Sequence, residues 1–211
     1  MNKNNLPLNS VSISEGDLSS EVLVLAKTKG LVAWDIETSG LNWEKNQIGT
    51  CQIYLPDTRV YIVSVTHHYP SNLINLLSDR NVCKIFHHAI FDLRFMIYKW
   101  MVEPKNIVCT KIASKILDPF KEKHGLKNIL WDYTRVEIDK SQQLSNWVSP
   151  HLSQDQIAYA VNDVIHLPRL FDVLKTKLES NGRWPLASDS FTYLPTRAVL
   201  DILGTSDVFL Y

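Results

Sequence analysis

A tyrosine and an aspartate stand four residues apart within the mostly apolar stretch "AYAVNDVIHL". Residues at this spacing share one face of an α-helix, so Tyr159 and Asp163 are predicted to point the same way. A hydrogen-bonded pair at the edge of a core would explain them, because ionisable groups on helices are mostly solvated or paired. The pair acquires a chemical meaning only when other acids lie beside it.

Asp35 and Glu37 lie two residues apart directly after the apolar run "LVAW". Alternate residues of a strand face the same side of a sheet, so this spacing predicts two carboxylates on one face. Two acids in a low-dielectric site repel each other unless a cation compensates them. The alternative is a strand that has already reached water at Asp35, and an Asp-x-Glu pattern alone assigns no function.

Asp92 is another unusual acid, set between two apolar residues in the first turn of a predicted helix. An aspartate there can simply complement the positive end of the helix dipole. His87 and His88 precede it, but neighbouring residues of a strand point to opposite faces, which argues against both serving one zinc ion. We therefore expect one histidine in the core or behind the site, and the other in contact with substrate.

Four acids on three separate predicted elements need one explanation: Asp35, Glu37, Asp92 and Asp163. Ligand sets made only of oxygen favour Mg²⁺ or Mn²⁺ over zinc. Two such ions about 4 Å apart are a recurrent arrangement for in-line displacement at a phosphodiester. The residue types therefore indicate phosphodiester chemistry, with Tyr159 near the attacking water.

The elements that must position these acids alternate along the chain. Three β-branched and aromatic stretches, at 31 to 37, 48 to 55 and 59 to 65, predict an antiparallel meander. From Ser71 onward strand and helix alternate, which predicts parallel pairing with crossover helices. The simplest architecture is an α/β sheet with helices packed on it.

Two predicted helices have clear boundaries. The first lies within "DLSSEVLVLAKTKG", with Asp17 near its start and Gly30 after its end. The helix that carries the tyrosine begins after Ser153, which forms a capping-box pattern with Gln156.

Composition narrows the class of protein. A chain of 211 residues is long enough for one substantial domain. Lysine plus arginine equals aspartate plus glutamate at 22 each, so no overall positive field predicts tight binding of long nucleic acids, although a local basic strip would fit the same total.

Three scattered cysteines in apolar surroundings favour reduced thiols, and the polar N-terminus lacks a signal pattern. We therefore expect a cytoplasmic protein without a membrane partner.

Three stretches together resemble a known enzyme family. "WDIETSGL", "HHAIFDLRF" and "YAVND" are similar, in this order, to the three motifs of the DEDD superfamily of 3′-5′ exonucleases. Tyr159 marks the tyrosine subtype, whereas His166 lies on the wrong side of Asp163 for the histidine subtype. Further stretches resemble RNase D, and "CTKIASKIL", "HGLKN", "DKSQQ" and "LPTRAVLDILG" resemble its short bacterial nano-RNase C type. The resemblance runs from about Leu31 to Phe209.

The resemblance implies a fold, cofactors and roles for the acids. The fold would be α/β and RNase H-like, with a mixed five-stranded sheet and flanking helices. Two divalent ions, Mg²⁺ or Mn²⁺, would be bound. Asp35, Glu37 and Asp163 would hold the ion that activates water, and Asp35 and Asp92 would hold the ion at the leaving oxygen. Tyr159 would orient or deprotonate the water.

The resemblance also implies substrate contacts, from Thr38, Leu41, His87, His88, Lys140 and Gln142. Leu41 matches a leucine that wedges between the last two bases in related oligoribonucleases, although ordinary packing would explain it equally well. Lys140 and Gln142 match a loop that approaches the substrate, although an exposed lysine is usually only a solvated charge. Because this chain has "VSPH" where RNase D usually has Arg-Pro, no phosphate contact from that arginine is carried over.

The function implied is a 3′-5′ exoribonuclease that releases 5′-mononucleotides from the 3′ ends of short single-stranded RNA, down to dinucleotides. The same motifs serve 3′-5′ exodeoxyribonucleases, so a DNA substrate is the alternative. A catalytically inactive nucleic-acid-binding module is a third alternative, against which the complete set of acids argues. Nano-RNase C relatives form rings of eight subunits, so the resemblance implies a homo-oligomer.

We expect a single exonuclease domain over residues 1–211, with a flexible segment over 1–12. The segment from about 190 to 211 is apolar enough to serve an oligomer interface, but packing into the core would explain its composition equally well.

Overall fold

A six-stranded mixed sheet forms the centre of the molecule. The computed structural model describes residues 11–65, 69–139, 141–205 and 208–209. In these residues the strand order is β1-β4-β3-β2-β5-β6. The strands are β1 (Val11–Glu15), β2 (Leu31–Thr38), β3 (Ile48–Tyr54), β4 (Val60–Ser64), β5 (Cys83–Phe86) and β6 (Ile107–Cys109).

The central strand β2 has one antiparallel neighbour and one parallel neighbour. It pairs antiparallel with β3, which pairs antiparallel with β4, so the predicted meander is confirmed. On its other side β2 pairs parallel with β5, and β5 pairs parallel with β6. The predicted change from hairpins to crossover connections is therefore also present.

The expectation of five strands was wrong, because β1 adds a sixth at the edge of the sheet. Val11 to Glu15 pair in parallel with Val60 to Ser64 of β4. The segment predicted to be flexible, 1–12, overlaps this strand at Val11 and Ser12, while residues 1–10 lie outside the described part of the chain. Pairing with a distant strand orders a short polar segment whose local sequence carries little strand signal.

Eight helices flank the sheet in the described residues. They are α1 (Ser20–Lys29), α2 (Ser71–Ser78), α3 (Ala89–Trp100), α4 (Thr110–Leu117), α5 (Leu126–Thr134), α6 (Gln154–Ile165), α7 (Leu167–Ser180) and α8 (Trp184–Ile202). Within the described ranges, no helix combines the length and apolarity needed to cross a membrane.

The predicted helix α1 is present, with Asp17 near its start and Gly30 after its end. Ser19 caps this helix, and Gly30 ends it in the left-handed conformation with φ of 70°. Asp17 lies before the cap and binds elsewhere: its carboxylate accepts hydrogen bonds from the backbone N–H groups of Asn72 and Leu73, over 2.7 and 3.1 Å. Because Pro70, the residue before α2, supplies no side-chain cap, Asp17 caps α2 from a distance.

Helix α6 lies across the meander and brings its own acid to β2. It contacts β2, β3 and β4. The predicted capping box is present: the Ser153 hydroxyl accepts from the Gln156 N–H, and the Gln156 carboxamide accepts from the Ser153 N–H. This fixed start sets the rotation of α6, so that Tyr159 and Asp163 face the sheet.

The C-terminal segment contributes to both core and surface. Helix α8 packs on α3 and buries Ala187, Phe191, Leu194 and Ala198. Leu203 and Phe209 remain exposed. The three cysteines form no disulfide, and burial raises the pKa of the Cys83 thiol to about 11.

Candidate active site

Three carboxylates converge where β2 meets α6. Asp35 and Glu37 project from the same face of β2, and Asp163 projects from α6 towards them. One carboxylate oxygen of each residue lies within 4.8 Å of the others. The alternative of a strand that has already reached water does not describe Asp35 and Glu37, because both are only partly exposed and an opposing helix adds a third acid.

Asp92 contacts the same strand, β2, but it lies on helix α3. It is buried in the first turn of α3, and its Oδ1 accepts a hydrogen bond of 3.2 Å from the backbone N–H of Ile36. Burial and the neighbouring charge of Asp35 raise the pKa of Asp92 well above its ordinary value. An acid that only complemented the helix dipole would show the opposite shift, so burial and the charge of Asp35 outweigh the helix end and nearby Arg94 at this position.

These four acids fit a divalent cation. Their ligand atoms are all carboxylate oxygens, which Mg²⁺ and Mn²⁺ prefer. Burial and mutual repulsion hold the Asp92 carboxylate at a raised pKa, and a bound cation would relieve that cost. Within the described residues, the group of Asp35, Glu37 and Asp163 is the cluster whose spacing suits an ion.

Tyr159 lies one helical turn before Asp163 and is buried beside the acids. Burial and the charges of Asp163, Glu37 and Asp35 raise its pKa, as does a hydrogen bond with Asp163. The phenol therefore stays protonated at neutral pH. Tyr159 and Asp163 are thus hydrogen-bonded, as a purely structural pair would be. The pair also lies beside the carboxylates of Asp35 and Glu37, which a purely structural role does not explain.

A cleft of about 560 Å³ contains the acids and most of the predicted substrate contacts. The residues predicted from sequence that line it are Asp35, Glu37, Thr38, Leu41, His87, His88, Asp92, Tyr159 and Asp163. Gln142 is not among the lining residues; its carboxamide oxygen accepts a hydrogen bond from the Ser145 hydroxyl. Lys140 lies outside the described residues.

The two histidines differ from the expectation based on strand alternation. Strand β5 ends at Phe86, and His88 is the residue before α3, with φ of 64°. Both histidines consequently line the cleft instead of pointing to opposite faces. The Nδ1 of His87 lies 2.9 Å from the Thr110 hydroxyl. Burial and nearby Lys111 lower the pKa of His88 to about 4, so its ring is neutral at pH 7.

Leu41 is not a packing residue, because its side chain is 81% exposed at the rim of the cleft. The turn that carries it is ordered by a hydrogen bond of 2.7 Å from the Thr38 hydroxyl to the Gly40 carbonyl. An exposed leucine on an ordered turn beside the acids is available to contact a bound molecule.

Several residues that line the cleft were missed in the sequence: Phe91, Lys111, Lys127, Asn128, Gln143 and Leu144. Lys111 is the second residue of α4, which begins at Thr110 directly after β6 ends at Cys109. Burial and nearby Lys115 lower its pKa. Lys111 and Lys127 place cationic groups in the cleft that also contains the four acids, which suits a phosphate-containing ligand.

Comparison with known proteins agrees with this arrangement. A family model described as 3′-5′ exonuclease matches residues 11–179. Ribonuclease D of Gluconacetobacter diazotrophicus is 37% identical over 116 residues, which are 54% of this chain and 29% of that protein. The chain thus spans about a third of the length of the curated relatives it matches.

Solved structures of NrnC match over nearly their full length. Brucella melitensis NrnC bound to pGG superposes with a TM-score of 0.89 and 35% identity, covering 96% of this chain and 98% of that one. Brucella melitensis NrnC with bound Mg²⁺ gives a TM-score of 0.88 and 35% identity, covering 96% and 99%. The family match, the full-length structural similarity and the converging acids support the same assignment. The chain belongs to the RNase H-like 3′-5′ exonucleases of the DEDD superfamily, in the RNase D-like group that includes NrnC.

Proposed function

We propose that the protein is a 3′-5′ exoribonuclease that hydrolyses phosphodiesters and releases 5′-mononucleotides from the 3′ ends of short RNA, down to dinucleotides. The observation that carries this proposal is the convergence of Asp35, Glu37 and Asp163 within 4.8 Å, with Asp92 and Tyr159 lining the same cleft. The relatives named ribonuclease D and the NrnC structure bound to pGG support RNA and a short substrate.

We propose two divalent ions as cofactors, Mg²⁺ or Mn²⁺. Asp35, Glu37 and Asp163 would hold one, and Asp35 and Asp92 would hold the other. When bound, such ions lower the pKa of water and stabilise charge on the attacking and leaving oxygens. The all-oxygen donor set and the raised pKa of Asp92 support this assignment, as does the NrnC structure with bound Mg²⁺.

Tyr159 would orient or deprotonate the attacking water. In the site without cations, burial and the surrounding carboxylates raise its pKa, and the protonated hydroxyl can contact water through hydrogen bonds. With cations bound to those carboxylates, the hydroxyl would orient the water or remove its proton, the two roles that the family resemblance implies. Replacement by Phe removes the hydroxyl and keeps the ring.

The near-zero net charge supports a short substrate. Lysine plus arginine equals 22, as does aspartate plus glutamate. A ligand held by its end and by bound cations requires few lysine contacts to phosphate. Affinity should then fall only slowly with salt, because few phosphates are neutralised by side chains. A slope of log affinity against log salt steeper than about −4 would contradict a short-substrate enzyme.

One assay tests the proposal against its alternatives. Labelled RNA and DNA from dimers to about 20-mers are incubated with Mg²⁺, with Mn²⁺ or with a chelator. We expect 5′-mononucleotides, no activity in chelator, and faster turnover of short RNA than of long RNA or DNA. Faster turnover of DNA would support the exodeoxyribonuclease alternative. Binding without turnover in either metal would support the inactive module.

We also propose that residues 1–211 form a single exonuclease domain of a cytoplasmic protein that assembles as a homo-oligomer, with the octameric ring as the expected form. Leu203 and Phe209 leave apolar surface exposed near the C-terminus, which is compatible with a subunit contact. Light scattering after size-exclusion chromatography tests the assembly, and a monomeric mass would refute the ring.

A further inference from the structure

We propose that Trp147 is a positioning residue for Tyr159, and that the lack of a side chain at Gly49 is what allows Trp147 to take this place. The inference rests on the proposed function, since it concerns the hydroxyl that would orient the attacking water. It adds two residues that do not line the cleft. Their effect on the reaction must therefore pass through neighbouring residues, and the ring that Trp147 packs against is that of Tyr159.

The Trp147 ring packs beside the Tyr159 ring. Its side chain is 1% exposed, and the two ring centroids lie 5.7 Å apart with planes inclined by 45°. A tilted aromatic contact of this kind restricts rotation of both rings. The hydroxyl is the side-chain atom of the tyrosine that lies furthest from Cβ. A small rotation about the Cα–Cβ bond would therefore displace the hydroxyl more than the ring atoms.

Hydrogen bonding does not account for the burial of this tryptophan. Among the described residues, its Nε1 has no hydrogen-bond partner. A buried indole N–H without a partner costs free energy. Phenylalanine would fill part of the same space without that cost. The indole is therefore held by shape, and a second aromatic ring can replace part of its function.

The backbone of Trp147 lies directly against strand β3. A Cβ atom built on Gly49 would lie 2.2 Å from the Trp147 carbonyl oxygen and 2.7 Å from its carbonyl carbon. Both neighbours are backbone atoms, which cannot rotate away as the end of a side chain can. The strand itself is tied to β4, because the Gly49 carbonyl accepts a hydrogen bond of 3.0 Å from the Val65 N–H. Any side chain at residue 49 must displace the loop.

The start of α6 holds the loop from the other side. The Gln156 carboxamide nitrogen donates a hydrogen bond of 3.1 Å to the Asn146 carbonyl, one residue before Trp147. The oxygen of the same carboxamide accepts from the Ser153 N–H over 2.9 Å. Gln156 thereby joins the loop to the first turn of the helix that carries Tyr159. The tryptophan is fixed between β3 and α6.

A double-mutant cycle separates positioning from ordinary core packing. Trp147→Leu, Trp147→Phe and Gly49→Ala are each made in the wild-type and Tyr159→Phe backgrounds. For each variant, kcat and KM are measured on pGG, Mg²⁺ affinity by calorimetry, and the melting temperature without metal. Trp184 packs on Phe171 and Phe191, away from the cleft, so Trp184→Leu is the matched control.

We expect Trp147→Leu to lower kcat by about tenfold to a hundredfold, because misplacing a catalytic group by about 1 Å has effects of this size. KM and Mg²⁺ affinity should stay within about twofold, since the acids and the cleft lining are untouched. Trp147→Phe should recover most of the lost rate. In the Tyr159→Phe background, Trp147→Leu should cause no further loss. Trp184→Leu should lower the melting temperature and leave kcat unchanged.

Equal fold-losses for Trp147→Leu in the two backgrounds would overturn the inference, as would an unchanged kcat in the wild-type background. If Trp147→Leu does not fold, the same cycle with Gly49→Ala decides, because that variant keeps the indole. It also moves a loop whose Gln143, Leu144 and Ser145 line the cleft, so the deciding result is the coupling of its kcat loss to Tyr159 and not its KM. The proposed function fails in a different way. A full rate for Tyr159→Phe would remove the role of the tyrosine itself, whereas a slow Tyr159→Phe with additive Trp147 effects would refute only the positioning role.

Discussion

The backbone N–H of Ile36 donates a hydrogen bond to Asp92 Oδ1 over 3.2 Å. This bond joins the strand that carries Asp35 and Glu37 to the helix that carries Asp92. It needs only a carbonyl-type oxygen on the side chain of residue 92, and the amide of asparagine offers one. The structural contact and the negative charge of Asp92 can therefore be separated by one substitution.

We expect Asp92→Asn to abolish hydrolysis while the fold is retained. The amide keeps the contact to Ile36 but loses the charge that would help to hold a cation. Because Asp92 is buried and repelled by Asp35, the variant should melt at the same or a higher temperature in the absence of metal. Activity assays and thermal unfolding in chelator check both outcomes. Asp172→Asn, at an exposed position on α7, is the control, and wild-type hydrolysis by Asp92→Asn would rule out the metal assignment.

Leu41→Ala should weaken substrate binding with little effect on stability. The side chain is 81% exposed, so its removal leaves no cavity in the core. Loss of an apolar contact to a base should raise KM by about fivefold to thirtyfold, on the order of 1–2 kcal/mol. Leu186→Ala tests an exposed leucine on α8 that does not line the cleft and should change neither KM nor stability. An unchanged KM for Leu41→Ala would exclude the contact.

Asp17→Ala should destabilise the protein without changing its chemistry. The carboxylate supplies the cap that α2 lacks, through the N–H groups of Asn72 and Leu73. Loss of such a cap costs about 1–2 kcal/mol in the free energy of unfolding. Urea denaturation measures the loss, with the exposed Glu122→Ala as a control. A stability equal to the wild type would show that water replaces the carboxylate at the start of α2.

Lys84 should make the stability depend on pH above neutrality. Its side chain is fully buried on β5, where its Nζ donates to the Asp79 carbonyl over 2.6 Å. Burial lowers the pKa of Lys84 from 10.5 to about 8. Between these values the unfolded chain holds the proton and the folded chain has released it, so this residue makes the free energy of unfolding rise with pH. The rise should be on the order of 3 kcal/mol.

Comparison with Lys84→Met isolates this contribution from the other groups that titrate. Denaturant unfolding of both proteins from pH 7 to 11 should give a stability difference that shifts in favour of the wild type between about pH 8 and 10.5. Below pH 8 the difference should be constant, because the lysine is charged in both the folded and unfolded states. A difference that does not vary over the whole range would mean that Lys84 keeps an ordinary pKa.

The acids were accessible from the sequence because their signals are local. Asp35 and Glu37 follow an apolar strand pattern, and Tyr159 and Asp163 have the spacing of one helical turn. The order of the three motifs then added a family resemblance that spacing alone does not provide. Strand β1 carried no such signal, since its pairing with β4 depends on contacts far apart in the chain.

The rest of the cleft depends on how loops and helices pack. Lys111 and Lys127 lie on α4 and α5, whose approach to the cleft is set by tertiary contacts. Gln142 was predicted from the family resemblance of the loop after α5, whereas its neighbours Gln143 and Leu144 line the cleft. The histidines were assigned by strand alternation, but the strand ends before them. Gly49 gave no signal, because its role is the space that it leaves for another segment.

The acids that meet in the cleft come from parts of the chain separated by more than half its length, from Asp35 to Asp163. A ligand bound by both therefore closes a very long loop, as a removable crosslink would. Only the folded chain assembles this group, so occupancy and folding are thermodynamically linked. In a cell, the supply of divalent ions would then govern how long the protein survives proteolysis as well as how fast it works.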